Sequence, residues 1–133
     1  CGMVRILLVS DYKRIFEKME DLIKGKYKLI WCTYELLEEK QYPCADVVIM
    51  HFDADNLEKG LEWIVQIKGR LGHYIPILVL IEGGTPQDIF SMLETGAYDY
   101  LETLEEPETY VKKIEDMVSW NWYLKKYRSD KKQ

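Results

Sequence analysis

The residues that could do chemistry in this 133-residue chain stand where its predicted strands end, and most of them are polar. They are Ser10, Asp11, His51, Asp53, Ile81, Glu82, Glu102 and Thr103. Carboxylates can hold a magnesium ion or attack a phosphoryl group, and an imidazole can ligate softer divalent metals. These positions therefore define the first place to look for a site.

A metal site is one hypothesis for this set of residues. Asp11, His51 and Asp53 could together ligate a divalent cation such as Zn²⁺ or Mn²⁺. A simpler interpretation is that Asp11 caps the helix that follows it and that His51 makes an ordinary hydrogen bond at the end of its strand. We favour the simpler interpretation and expect no metal and no other cofactor.

Other site motifs are weak in this sequence. The Glu-Gly-Gly-Thr stretch at 82–85 has no lysine to accompany a phosphate, and the segment at 10–14 has none of the glycines of a flavin phosphate loop. No Ser-His-Asp arrangement is suggested, because His73 lies in a predicted turn. The sequence therefore gives no motif for nucleotide, flavin or acyl-transfer chemistry.

The elements that must position these residues alternate regularly. Strands are predicted from apolar runs at 3–9, 27–33, 46–51, 76–81 and 98–101. Helices are predicted at 12–24, 34–41, 60–71, 86–96 and from 107 past 120. Such alternation predicts an α/β fold, a parallel sheet with helices on both faces. At this length the flavodoxin-like strand order 2-1-3-4-5 is favoured, and its strands all end at one edge.

Composition and charge exclude several classes of protein. Hydrophobic residues make up 47% and charged residues 31%, as in a single globular domain. The net charge of −5 is uneven, because residues 120–133 carry +4 and the first 119 carry −9. We expect no membrane span and no nucleic-acid partner, since the apolar runs are far shorter than about 20 residues and the body is acidic. Three cysteines without a CxxC pair are typical of the reducing cytoplasm.

Residues 3–119 resemble the receiver domains of two-component response regulators. The resemblance rests on the opening strand, on the strands at 45–50 and 75–80, and on the Gly-Ala-Tyr-Asp-Tyr-Leu segment at 96–101. It implies a single receiver-like domain over 1–133. Residues 120–133 would form an extended helix and basic tail that could lead to a further domain.

The resemblance places His51 where the family has its phosphorylated aspartate. The other equivalent positions are Ser10, Asp11, Ile81, Thr103 and the switch aromatic Tyr100. Aspartyl phosphorylation needs a carboxylate, a magnesium ion between acidic ligands and a cation beside the phosphoryl group. None of these groups is supplied by the imidazole of His51, the alkyl group of Ile81 or the hydroxyl of Thr103. We therefore expect no normal phosphorylation cycle.

Asp53 is the alternative phosphoacceptor. The family places a glycine eight residues after the acceptor, whereas Gly60 lies nine residues after His51 and seven after Asp53. Side chains two positions apart share a face of a strand, so Asp53 could substitute if the strand extends that far. Mg²⁺ would be required only under this alternative.

The last helix offers an interaction surface. Val111, Ile114, Val118 and Trp122 follow helical spacing, and we expect them to pack on the sheet or continue beyond it. Further aromatic anchors stand beside the basic end, and with Trp122 the set is Trp120, Trp122, Tyr123 and Tyr127. We predict a cytoplasmic, phosphorylation-independent interaction module that is not an enzyme. It would contact a protein partner or a second copy through helix four, strand five and the last helix.

Overall fold

A computed structural model of the chain describes residues 2–131, so Cys1 and the last two residues of the predicted basic tail, Lys132 and Gln133, lie outside it. The strands are β1 (Arg5–Val9), β2 (Lys28–Cys32), β3 (Val47–Phe52), β4 (Ile77–Ile81) and β5 (Asp99–Glu102). The helices are α1 (Lys13–Ile23), α2 (Tyr34–Glu38), α3 (Gly60–Leu71), α4 (Pro86–Thr95) and α5 (Pro107–Lys131). A short 3₁₀ turn, Leu57–Lys59, precedes α3.

All five strands are parallel and their order is β2-β1-β3-β4-β5. This confirms the predicted flavodoxin-like fold. The register sets Val9 beside Met50 and His51 beside Leu80, so β1, β3 and β4 end close together at one edge.

Two apolar layers hold the helices on the sheet, because alternate strand residues face opposite sides. One layer joins Val48, Met50 and Phe52 of β3 to α2, α3 and α4. The other joins Val47 and Ile49 to α1 and α5. The continuous burial of β3, all six residues of which are inaccessible, follows from this double coverage.

Helix α5 spans 25 residues and continues past the sheet. Beyond the core, Lys125 forms an ion pair with Asp46, and the Arg128 guanidinium lies 4.6 Å from the ring centre of Tyr74. Of the two outcomes expected for Trp122, packing on the sheet or continuing beyond it, the structure shows the second, since 59% of Trp122 is exposed and the neighbouring Asn121 is buried instead. Of the helices in the described part of the chain, none combines the length and the apolarity needed to cross a membrane.

Candidate functional site

His51 is the centre of the candidate site, and it is 1% exposed. It is the last residue but one of β3, flanked by the end of β1 on one side and the end of β4 on the other. Backbone hydrogen bonds extend the sheet past both neighbouring strands, because the Ser10 N–H donates to the carbonyl of Cys32 and the Glu82 N–H to that of Phe52. The next residues of β1 and β4 are thereby fixed beside the imidazole.

Both ring nitrogens of His51 are hydrogen-bonded. Nδ1 lies 3.1 Å from Ser10 Oγ, and Nε2 lies 2.8 Å from Glu82 Oε1. A carboxylate can only accept, so Nε2–H donates to Glu82. Ser10 Oγ accepts the Tyr12 N–H at 3.1 Å, which leaves its hydroxyl hydrogen to donate to Nδ1. A neutral imidazole thus satisfies every polar atom of this buried group.

Arg14 completes the series at the surface. Its Nη2 donates to the two carboxylate oxygens of Glu82 at 2.9 and 3.2 Å. The hydrogen bonds from Arg14 are the largest cause of the lowered pKa of Glu82. Partial burial acts to raise this pKa, and the hydrogen bond from His51 lowers it further. Glu82 therefore remains ionised, and its charge is offset by Arg14.

The series Ser10–His51–Glu82 has the residue types of a hydrolase triad, although the sequence suggested no such arrangement. Ser10 is fully buried, and its oxygen already accepts a backbone N–H, so no substrate carbonyl can reach it. The arrangement is therefore a structural one. The sequence placed Glu82 at this edge of the sheet, but its hydrogen bond with His51 was not predicted, because that contact depends on the register of two strands.

Asp11 does not cap α1 as predicted. Helix α1 begins after Tyr12 with no side-chain cap, and Asp11 Oδ1 instead accepts the backbone N–H of Tyr34 at 2.9 Å. It thus supports the start of α2, where Thr33 is the N-cap. The prediction was wrong because the loop after β1 places the Asp11 carboxylate beside the first residue of α2 rather than beside α1.

Asp53 lies just outside β3 and is partly exposed. Its Oδ1 accepts the Asp55 N–H at 2.9 Å, and the backbone N–H of Asp53 donates to Asn56 Oδ1 at 2.8 Å. Partial burial acts to raise the pKa of Asp53, but a hydrogen bond from the Tyr12 hydroxyl and backbone N–H groups outweigh it, so the pKa is below its usual value. Asp53 is an ionised carboxylate within a loop turn.

The hypothetical metal cluster of Asp11, His51 and Asp53 does not assemble. Within the part of the chain that the structure describes, no three His, Cys, Asp or Glu side chains are grouped to hold a metal ion. Asp11 is directed to α2, His51 is enclosed between Ser10 and Glu82, and Asp53 follows the strand.

Ile81 does not face His51, and the backbone of Thr103 is bound by residues of α1 and α5. Ile81 is buried on the opposite face of the sheet, in the layer that contains Phe52 and Met92. The carbonyl of Thr103 accepts hydrogen bonds from Lys18 Nζ and from the Tyr110 hydroxyl, each at 2.9 Å. A lysine of α1 therefore brings positive charge to the end of β5.

Tyr100, the switch aromatic of the resemblance, is held by Lys113 of α5. Lys113 Nζ donates to the Tyr100 carbonyl at 2.6 Å and lies 4.5 Å from the centre of its ring. The same ammonium is 3.4 Å from the Asp99 carboxylate. The ring itself packs against the core layer beneath α4. These contacts fix Tyr100 in one position.

Comparison with known proteins bears on the fold. No protein-family model matches the chain, and no curated protein matches it. Among solved structures, it is similar to a response regulator receiver domain protein from Clostridium thermocellum (TM-score 0.73, 18% identity, 92% of this chain and 99% of that one). It is also similar to a response regulator from Thermotoga maritima (TM-score 0.73, 18% identity, 89% and 99%). A third, adenylate cyclase from Rhodopirellula baltica, gives a TM-score of 0.78 at 16% identity over 99% of both chains. The chain has the receiver-domain fold.

Proposed function

We propose that this chain is a receiver-like module of two-component signalling that acts by binding proteins and does not depend on aspartyl phosphorylation. The observation that carries the proposal is the state of His51, which is 1% exposed and uses both ring nitrogens in hydrogen bonds. A group with almost no exposed surface, whose ring nitrogens are both hydrogen-bonded, cannot attack a phosphoryl donor.

The charges around this position also favour the proposal. Phosphoryl transfer to a carboxylate requires Mg²⁺ among acidic ligands, but Glu82 is engaged by Arg14 and Asp11 by the start of α2. Asp53, the alternative acceptor, accepts the Asp55 N–H within its own loop. The module would therefore keep one conformation instead of switching between two.

The surface around Tyr100 is the proposed site of recognition. Lys113 holds that ring in place, so the surface of α4, β5 and α5 is set by packing rather than by a phosphoryl group. It carries the exposed apolar side chains of Phe90 (54% exposed) and Leu104 (96% exposed). Apolar groups left in water at a signalling surface favour a protein partner. We place this role in the cytoplasm, without an enzymatic step.

An NMR titration tests the proposal against phosphorylation at Asp53. Amide spectra are recorded with Mg²⁺ alone and then with Mg²⁺ plus beryllofluoride, which mimics the aspartyl phosphate. Asp53→Asn is compared with Asp55→Asn, a matched change at an exposed aspartate two residues along. We expect beryllofluoride to leave all three spectra unchanged. Shifts at residues 51–56 and Tyr100 that disappear only in Asp53→Asn would establish the alternative, a magnesium-dependent acceptor.

A further inference from the structure

A small cleft opens at the end of the sheet opposite to His51, where β4 and β5 begin. Its volume is about 280 Å³, and it lies between α3, the loop before β4, the turn after α4 and the second half of α5. Clefts for drug-sized ligands begin at about 300 Å³. This cleft therefore suits a molecule of one or two rings.

Three aromatic rings line the cleft, and two of them are largely open to water. Tyr74 is 52% exposed and Trp120 is 47% exposed, while Tyr98 is partly buried. The Arg128 guanidinium lies 4.6 Å from the ring centre of Tyr74 and helps to fix that ring. Rings of this kind offer contact area at a low cost in side-chain entropy, and they favour a ligand that is itself flat and apolar.

Lys68 brings a positive charge to the cleft. Its Nζ donates to the carbonyl of His73 at 3.1 Å, which uses one of the three hydrogens of the ammonium. Among the described residues, no carboxylate forms an ion pair with Lys68, and burial lowers its pKa from the ordinary 10.5. The other two hydrogens are therefore available to an oxygen of a ligand.

Gly96 determines where the Lys68 side chain lies. A Cβ at position 96 would stand 2.6 Å from Lys68 Cε, and the φ of Gly96 is +127°, a value that other residues rarely adopt. The stem of Lys68 thus packs against a backbone that only glycine provides here. Packing of the stem holds the ammonium at the cleft before any ligand arrives.

The charge of the lining favours an anion. The lining contains no acidic residue, although the first 119 residues of the chain carry −9. Two acidic residues lie near Tyr98, and both have partners. Asp99 pairs with Lys113 at 3.4 Å. Asp116 pairs with Lys112 at 3.1 Å. Aromatic rings alone can also hold an organic cation, but a cation here would meet the ammonium of Lys68.

We propose that this cleft binds a small organic carboxylate that carries a flat apolar ring. The carboxylate accepts hydrogen bonds from Lys68, and the ring lies among Tyr74, Tyr98 and Trp120. The inference goes beyond the proposed function, because the cleft lies at the opposite end of the sheet from His51 and Asp53. Since the cleft joins α3 to α5, a bound carboxylate stabilises the position of the last helix.

An NMR titration with three matched probes tests the chemical class of the ligand. Phenylpropanoate carries both the anion and the ring, phenylpropylammonium carries the ring with the opposite charge, and propanoate carries the anion alone. We expect phenylpropanoate to shift the indole N–H signal of Trp120 and the amide signals of residues 68, 73–75 and 96–98, with a Kd of about 5 mM. The other two probes should bind at least about tenfold more weakly. Absence of a saturable shift, or tighter binding of the ammonium, would overturn the proposal.

A pair of lysine variants tests the role of the charge. Lys68→Met removes the ammonium and keeps most of the stem, so it should weaken phenylpropanoate binding about tenfold. Lys59→Met is the control, because Lys59 is exposed and lies just before the first residue of α3, away from the cleft. Amide spectra without the probe establish that each variant is folded. Equal binding by the wild type and Lys68→Met would contradict the assignment of the carboxylate to Lys68.

A pair of tryptophan variants tests the role of the rings. Trp120→Ala should weaken binding about fivefold, because it removes one wall of the cleft. Trp122→Ala should leave binding unchanged, because Trp122 lines a separate groove beside Met3. A loss in Trp122→Ala that equals the loss in Trp120→Ala would place the ligand elsewhere and reject this cleft. Failure of phenylpropanoate to bind leaves the beryllofluoride result, and with it the proposed function, unaffected.

Discussion

Polar groups are buried at the edge of the sheet where the strands end, whereas apolar rings are exposed along α5. At the edge, the imidazole of His51 is buried and both nitrogens have partners. Along α5, the large rings of Trp122 and Tyr123 remain mostly in water. The place where this fold normally has its chemistry is closed, and the open surface lies elsewhere.

This contrast follows from what each kind of group requires. A buried polar side chain is tolerated only when its hydrogen bonds are made. Ser10 and Glu82 bind the two ring nitrogens of His51, and Arg14 in turn binds Glu82. An exposed aromatic ring gains free energy only when something covers it. Complete satisfaction at the edge therefore indicates a structural role for His51, and the exposed rings of α5 support the proposed role in binding proteins.

Removal of His51 should cause the largest loss of stability. His51→Ala leaves a cavity and deprives Ser10 and Glu82 of their partner, which should lower the free energy of unfolding by about 2–4 kcal/mol. Urea denaturation followed by circular dichroism measures the loss. His73→Ala, at the other histidine of the chain and exposed in a turn, is the control and should change stability by less than about 0.5 kcal/mol. Equal effects of the two changes would contradict a structural role for His51.

Much of the fold could be predicted from the sequence. The unbroken apolar runs of β3 and β4 indicated strands covered on both faces, and the structure confirms the parallel sheet and its order. The start of α4 was also predicted, because Pro86 is favoured in a first turn, and Thr85 with Asp88 completes a capping box there. Such features depend on neighbours in the sequence, which is why local patterns reveal them.

The candidate site could be predicted only in part. The strand-end position of His51 followed from the length of β3, but its bond to Glu82 joins residues 31 apart and depends on the register of two strands. The attachment of Asp11 to Tyr34 likewise crosses from one strand end to the next. The sequence left open whether Trp122 packs on the sheet or continues beyond it, because helical spacing identifies a face without showing where the sheet beneath it ends.

Loss of the Lys113 contacts to Tyr100 should lower stability less than loss of His51 does. Lys113→Met removes the bond to the Tyr100 carbonyl and the cation over its ring, which together contribute about 1–2 kcal/mol. We expect faster amide hydrogen exchange in β5 and broadened ring signals of Tyr100. Lys13→Met is the control, because Lys13 is exposed and pairs only weakly with Glu17 at 3.8 Å. Unchanged exchange in Lys113→Met would show that core packing alone fixes the ring.

The ion pair between Lys125 of α5 and Asp46, the residue before β3, should contribute least to stability. Its contribution should depend on pH. Partial burial acts to raise the pKa of Asp46, but the Arg5 backbone N–H, at 2.8 Å, and the Lys125 ammonium outweigh it, so the folded-state pKa lies below 3.8. A carboxyl whose pKa is lowered by folding stabilises the protein above its unfolded pKa, and this contribution disappears as the pH falls through the folded value. The wild type should therefore exceed Asp46→Asn in stability by about 0.5–1 kcal/mol at pH 7, and by progressively less below about pH 4. Urea denaturation at pH 7, 5, 4 and 3 measures the difference, and a constant difference down to pH 3 would show that the charge of Asp46 does not hold α5 in place.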